Sequence, residues 1–221
     1  FVSGHLDLSK QTGAPIIFGP GAKTNFKVHN AADGELFKLG NISIEVLHTP
    51  GHTLESSCYL LRDENNKSHA IFTGDTLFVG DVGRPDLSSG DLSSEELAGI
   101  MYDTIQNKIL PLADDIIVYP AHGAGSSCGK QLGPESSSSI ASEKENNYAL
   151  QPQSREEFIN AITKGLIAAP KYFSINAKIN QQGYDAIDKV IKKGMQPLSL
   201  PAFKEKIKED VILLDTRKGD E

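Results

Sequence analysis

Cysteine is scarce in this 221-residue chain. Cys58 and Cys128 are the only two, too few for the disulfide framework that staples small secreted scaffolds. Long apolar runs are missing as well: none approaches the roughly 18 residues needed to cross a bilayer, and no secretory signal is visible. Positive charge is in deficit and scattered. The 22 Lys and Arg against 29 Asp and Glu leave a net charge of −7, which argues against a general nucleic-acid or anionic-membrane binder, because such partners call for clustered Lys and Arg. Methionine occurs only as Met101 and Met195, and residue 1 is Phe, so an internal start within a longer protein is expected. The 38% hydrophobic content is enough for a buried core, and a reducing, cytoplasmic setting is the expectation.

Three residues able to bind metal each come directly after a strand-like run. The runs at 42–47, 69–73 and 115–119 are rich in β-branched or aromatic residues and end at Gly or Pro. They lead into Pro50-Gly51-His52-Thr53, Gly74-Asp75 and Tyr119-Pro120-Ala121-His122. Strand-end loops are where sites usually sit, so one sheet edge is expected to receive His52, Asp75 and His122. Either histidine alone reads more simply as a surface or hydrogen-bonded residue. As a set, two imidazoles and a carboxylate with few sulfur ligands suit a hydrolytic zinc centre or a non-haem Fe(II) centre.

Leu6 and Leu8 ahead of Thr12-Gly13 predict a short helix that leads into a strand over 14–18. Residues 20–40 are polar and broken by Gly21 and Gly34, a connection. Ile42, Ile44 and Val46 alternate with Ser43 and Glu45, which predicts a strand with one face buried, and another strand follows over 56–61. Residues 81–92, rich in Gly, Asp and Ser, are long enough for a functional loop. Ser93 and Glu96 have capping-box spacing ahead of an apolar stripe of Leu97, Ile100, Met101, Ile105 and Ile109, which Pro111 ends. A second pair, Ser154 and Glu157, opens a helix with Phe158, Ile162 and Leu166 on one face. Residues 126–142 are Ser- and Gly-rich, a composition that alone reads as a linker. Shorter helices are expected over 184–193 and 203–209, and 211–217 reads as a buried strand ending in an Asp-Thr-Arg turn.

Pro50-Gly51-His52-Thr53, Phe72-Thr73-Gly74-Asp75-Thr76-Leu77-Phe78, Gly83-Arg84-Pro85-Asp86 and Pro120-Ala121-His122-Gly123 stand in the order and approximate spacing of the metallo-β-lactamase superfamily. Residues 1–197 resemble its persulfide dioxygenase branch, and residues 198–221 resemble the start of a rhodanese domain. The resemblance implies an α/β (α+β) fold: the αββα sandwich of that superfamily without its first strands, then the opening of an α/β rhodanese domain that continues beyond residue 221. The superfamily's first metal motif, H-x-H-x-D, is absent. Phe1-Val2-Ser3-Gly4-His5 resembles the residues that follow that motif, so the chain is expected to begin just downstream of a metal ligand and, by itself, to be inactive.

The chemistry implied is oxidation of a low-molecular-weight thiol persulfide by O₂ to sulfite and the free thiol at a mononuclear Fe(II), with Zn(II) as the alternative metal. His52 and Asp75 are implied as ligands, completed by a histidine of the absent motif. His122 matches a ligand of the second metal in dinuclear relatives, and in this branch it is implied to hydrogen-bond near the iron. Arg84 is implied to bind the anionic persulfide or its carrier, set against a plain ion pair with Asp86. The loop that follows His122 resembles the family's active-site loop, with serines near the substrate. Cys128 in it reads equally as an inert or a reactive thiol, Cys58 reads as core, and His5, His29, His48 and His69 receive no role. The partners are then the persulfide, O₂ and the rhodanese domain of the same chain, not nucleic acid or membrane, with a homo-oligomer left open. The rivals are a dinuclear zinc thioesterase of the hydroxyacylglutathione hydrolase kind and a metal-free binding protein.

Overall fold

The computed structural model describes residues 2–87, 91–166 and 168–217, so Phe1, residues 88–90 of the expected functional loop and residues 218–221 lie outside the described residues. By its internal contacts the chain divides into two units, Phe1–Gly183 and Tyr184–Glu221.

In the first unit α1 (His5–Thr12) stops at Gly13, whose φ of 74° suits a residue without a side chain. Next come β1 (Ile17–Phe18) and β2 (His29–Asn30), paired in parallel. Then β3 (Leu36–Leu39), β4 (Ile42–His48), β5 (Ser57–Arg62) and β6 (Ser68–Gly74) form an antiparallel meander. A small hairpin of β7 (Leu77–Phe78) and β8 (Asp81–Val82) follows, and after an intervening helix β9 (Ile117–Pro120) returns beside β6 in parallel. With β10 (Ser138–Ser139) at the edge, the six-stranded order is β10-β9-β6-β5-β4-β3. Direction then decides where the site falls. Strand β4 is antiparallel to β5, β5 is antiparallel to β6, and β6 is parallel to β9, so the carboxyl ends of β4, β6 and β9 share one edge.

Against one face of this sheet lies α2 (Ser94–Thr104), which opens on the expected capping box between Ser93 and Glu96. Its apolar positions Leu97, Met101, Ile105 and Ile109 are fully buried. Four-residue spacing overshoots the 3.6-residue turn and would carry the stripe round the helix. The helix compensates by running into a π-helical turn, Ile105–Ile109, which holds both ends of the stripe inward. Replacing Ser93 with alanine removes the side-chain acceptor for the Glu96 N–H and is expected to cost about 1 kcal/mol, read as a lowered urea midpoint with an unchanged slope. Among the described residues the unit's further helices are α3 (Ile140–Asn146), a 3₁₀ turn at Tyr148–Leu150, α4 (Arg155–Thr163) and α5 (Tyr172–Gln182). Strand residues Leu47, Cys58, Leu60, Ile71 and Val118 meet Met101, Ile105, Ile140, Phe158 and Ile162 in one core.

The second unit contains α6 (Ile187–Gly194) and α7 (Leu200–Lys206), and its described residues include no strand. The expectation of a buried strand at 211–217 is corrected here. Residues 211–216 have no regular structure, and Ile212 is 95% exposed. An apolar run signals a demand for burial, but a strand also needs a neighbour to take its backbone hydrogen bonds; the described residues of this unit include none. Among the described residues no helix is long and apolar enough to cross a membrane.

Candidate metal centre

The three loops at the shared edge are tied to one another before any side chain reaches the site. Thr49 and Thr76, both buried, share a hydrogen bond of 2.9 Å between their hydroxyls, which links the loop after β4 to the loop after β6. The Ala121 N–H donates to the Gly74 carbonyl at 3.0 Å and adds the loop after β9. Thr104 on α2 donates to the Pro50 carbonyl at 2.7 Å. Gly51 makes that approach feasible. Its φ is 146°, and a Cβ there would stand 2.4 Å from the Met101 Cβ and 2.6 Å from its Cα, a separation at which either the helix or the loop would have to move.

Three side chains then converge. His52 Nε2 lies 3.3 Å from Asp75 Oδ2, and His122 Nε2 lies 3.3 Å from Asp75 Oδ1, so each carboxylate oxygen faces one imidazole. His52 is buried, and its Nδ1 is 2.7 Å from the Arg84 carbonyl. A carbonyl only accepts, so Nδ1 is the donor and Nε2 is the nitrogen turned toward Asp75 and the shared space. That arrangement fits a cation: the ring's orientation and tautomer are set from behind while nitrogen and oxygen donors face forward. Burial, the largest influence, works against charge on Asp75. The hydrogen bond from His52, the charges of His52 and His122 and a hydrogen bond with Cys128 outweigh it and hold the carboxyl below its ordinary value.

Of the sequence-predicted residues, His52, Asp75 and His122 come together and Arg84 does not join them through its side chain. Its guanidinium is closed to solvent, forking onto Asp86 at 3.0 and 2.7 Å and reaching the Ser127 carbonyl at 3.3 Å. This favours the ion pair over the expected catalytic, anion-binding role, because the fork already has its anion. What Arg84 gives the site is backbone: its carbonyl to His52, and its N–H to the Cys128 carbonyl at 2.8 Å.

Cys128 is the residue whose position the sequence left open. Its sulfur, a donor atom of His122 and a carboxylate oxygen of Asp75 all lie within 4.8 Å of one another. Burial, reinforced by the nearby Asp75 charge, pushes the half-buried Cys128 thiol up from its ordinary pKa. Cys58 sits in the core as expected, raised to about 11 by burial. The loop bearing Cys128 is anchored by Asp81, fully buried, whose Oδ2 accepts from the Lys130 N–H at 2.6 Å and the Gln131 N–H at 2.7 Å. Tyr148 donates to Asp81 Oδ1 at 2.9 Å, and burial together with that carboxylate pushes the phenol up. Sequence reasoning missed Asp81 and Tyr148; the one available signal was an acidic residue heading the Gly- and Asp-rich loop.

A cavity of about 630 Å³ opens over these groups, walled by His52, Asp75, His122 and Cys128 below and by Tyr172 and Phe173 of α5. A larger one of about 930 Å³ shares Leu87, Ala177 and Asn180 with it and carries Lys23, Lys178 and Glu55 in its wall.

No protein-family model matches the chain. A probable hydroxyacylglutathione hydrolase of Schizosaccharomyces pombe is 35% identical over 119 residues, 54% of this chain and 42% of that protein. The chain thus spans less than half the length of this curated relative. Among solved structures, a metallo-β-lactamase from Staphylococcus aureus superposes with a TM-score of 0.77 at 36% identity, covering 84% of this chain and 56% of the other. ETHE1 from Myxococcus xanthus superposes with a TM-score of 0.66 at 28% identity, covering 81% and 71%. The fold is the mixed α/β fold of the metallo-β-lactamases.

Proposed function

We propose that this chain, built on the metallo-β-lactamase fold, carries residues of a metal-dependent hydrolase acting on thioesters of a small thiol of the glutathione class. The observation that carries the reading is Asp75, which presents one oxygen to each of two imidazoles at equal distances of 3.3 Å. Such a carboxylate suits two cations better than one, with His52 on one side and His122 on the other. The S. pombe relative, named as a probable hydroxyacylglutathione hydrolase, supports the substrate class.

Bound divalent cations would supply Lewis acidity to the thioester carbonyl and acidify a water. The chain's own part is placement. His52 is held by the Arg84 carbonyl, Asp75 stays ionised between its partners, and Tyr172 and Phe173 offer an apolar wall to the substrate. Lys23, Lys178 and Glu55 in the adjoining cavity suit a thiol carrier that has both carboxylates and an ammonium group. Water adds to the acyl carbon, the carbon–sulfur bond breaks, and the products are a carboxylic acid and the free thiol.

A second reading has its own observation. The structural likeness to ETHE1 extends over 81% of this chain and 71% of that protein, and Gly83-Arg84-Pro85-Asp86 stands in the loop resembling the persulfide dioxygenase branch. In that reading one iron is held by His52, Asp75 and a further ligand, with His122 hydrogen-bonding beside it. The persulfide, O₂ and water give sulfite and the thiol, and residues 198–221 belong to a rhodanese-like sulfur-transfer module. The test is elemental analysis of the purified full-length protein with two assays: thiol release from a hydroxyacylglutathione, and O₂ uptake with glutathione persulfide. Two zinc ions per chain with thiol release is the expected result. A single iron per chain with O₂ uptake and no thiol release would overturn the hydrolase in favour of the dioxygenase.

A further inference from the structure

We propose that Cys128, Asp75 and His122 form a thiolate-containing subsite that takes a zinc-class cation, so that the two sides of Asp75 differ in metal preference. The inference rests on the reading that Asp75 and His122 face a metal, and it adds a sulfur ligand to that position.

Three observations carry it. The donor atoms of the three residues lie within 4.8 Å of one another. With metal–ligand distances of about 2.0–2.3 Å for nitrogen, oxygen and sulfur donors, ligand atoms around one tetrahedral cation stand roughly 3–4 Å apart, so the set needs only a modest closing movement. Next, the backbone on both sides of Cys128 is fixed from outside the cluster. Arg84 donates its N–H to the Cys128 carbonyl and its Nη1 to the Ser127 carbonyl, while buried Asp81 gathers the N–H groups of Lys130 and Gln131. A loop held at both flanks keeps the Cys128 Cα by the site, where its thiol already hydrogen-bonds with Asp75, so closing on a cation needs only a turn about the Cα–Cβ bond. Finally, the two faces of Asp75 have different donors. His52, steered by the Arg84 carbonyl, approaches Oδ2, whereas His122 approaches Oδ1 and Cys128 lies in the group with His122. One side therefore offers nitrogen and oxygen, and the other offers nitrogen, oxygen and sulfur. Thiolate ligation favours zinc over hard cations, and on binding the thiol proton leaves to solvent.

Cobalt(II) is the probe, because it takes zinc's place and its thiolate complexes absorb in the near ultraviolet through sulfur-to-metal charge transfer. Titrating the chain with cobalt is expected to raise that band to saturation. Cys128→Ser should abolish the band and weaken zinc binding by at least about 100-fold, because losing a ligand costs no less than losing a partner that merely supports one; far-ultraviolet circular dichroism should be unchanged. His52→Ala, outside the set, should keep the band. Cobalt that binds with no charge-transfer band would overturn the sulfur ligand and leave Asp75 and His122 facing a metal. A band that survives in Cys128→Ser would assign it to Cys58 and overturn the subsite equally. No cobalt binding at all would overturn both this subsite and the reading beneath it.

Discussion

Asp75→Ala is expected to abolish metal binding and turnover while leaving the chain folded. The carboxylate is the one group that faces both imidazoles, at 3.3 Å each. Removing it takes away a ligand from each side of the site at once, whereas loss of either histidine leaves the other side with its donors. Little stability should go with it. Asp75 lies in a turn beyond β6, and the buried residues of that region, Thr73, Thr76 and Leu77, hold the loop through their own contacts. Elemental analysis, assay of thiol release and a thermal melt read the three expectations separately. A variant that retains stoichiometric metal and full turnover would remove Asp75 from the site.

The same substitution has a pH signature. The native Asp75 carboxyl is held below its ordinary value, the partners' hydrogen bonds and charges outweighing burial. A group depressed in the folded state stabilises that state at pH above its unfolded value, and the contribution fades as pH falls through the folded one. In the metal-free protein, whatever stability Asp75→Ala removes should therefore be largest at neutral pH and fade as pH falls, so that the acid limb of the stability curve flattens and variant and parent converge.

Which parts of this arrangement could be read from the chain follows from how local each cause is. The ends of β4, β6 and β9 were legible because alternation and β-branched residues stop at Pro or Gly within a few positions, which placed His52, Asp75 and His122 on strand-end loops. The two capping boxes at Ser93 and Ser154 were legible for the same reason, since donor and acceptor are three residues apart. The π-helical turn was not, because Leu97, Met101, Ile105 and Ile109 state only that one face must be buried. Nor was Cys128's place: it depends on Arg84 and Asp81, more than 40 residues earlier. The sequence set an anion-binding role beside an ion pair with Asp86, and in the fold the guanidinium forks onto Asp86 while the Arg84 carbonyl faces His52. At Val211–Leu214 the apolar run was plain, but the partner strand that would make it a strand is a property of other residues.

Gly83→Ala tests that peptide-level support, and the expected effect is large for one methyl group. A Cβ at residue 83 would stand 1.9 Å from the Asp75 carbonyl oxygen, 2.9 Å from His52 Nδ1 and 3.0 Å from His52 Cβ. The first of these is backbone and cannot swing away, so the segments at 75 and 83 must separate, and Arg84 moves with residue 83. The Arg84 carbonyl would then lose its 2.7 Å contact with His52 Nδ1. Overpacking of this kind costs about 1–3 kcal/mol, and losing the group that orients a ligating histidine costs about 10–100-fold in metal affinity or activity. Gly4→Ala is the control, because a Cβ there meets nothing within 4 Å and its φ of −92° is open to any residue. We expect Gly83→Ala to bind metal at least tenfold more weakly, toward the lower end of that range, with a lowered melting temperature, and Gly4→Ala to match the parent in both. Should Gly83→Ala take up metal with the parent's affinity, the Arg84 carbonyl is not what sets the His52 ring, and the orientation of that histidine must come from the buried walls of its own loop.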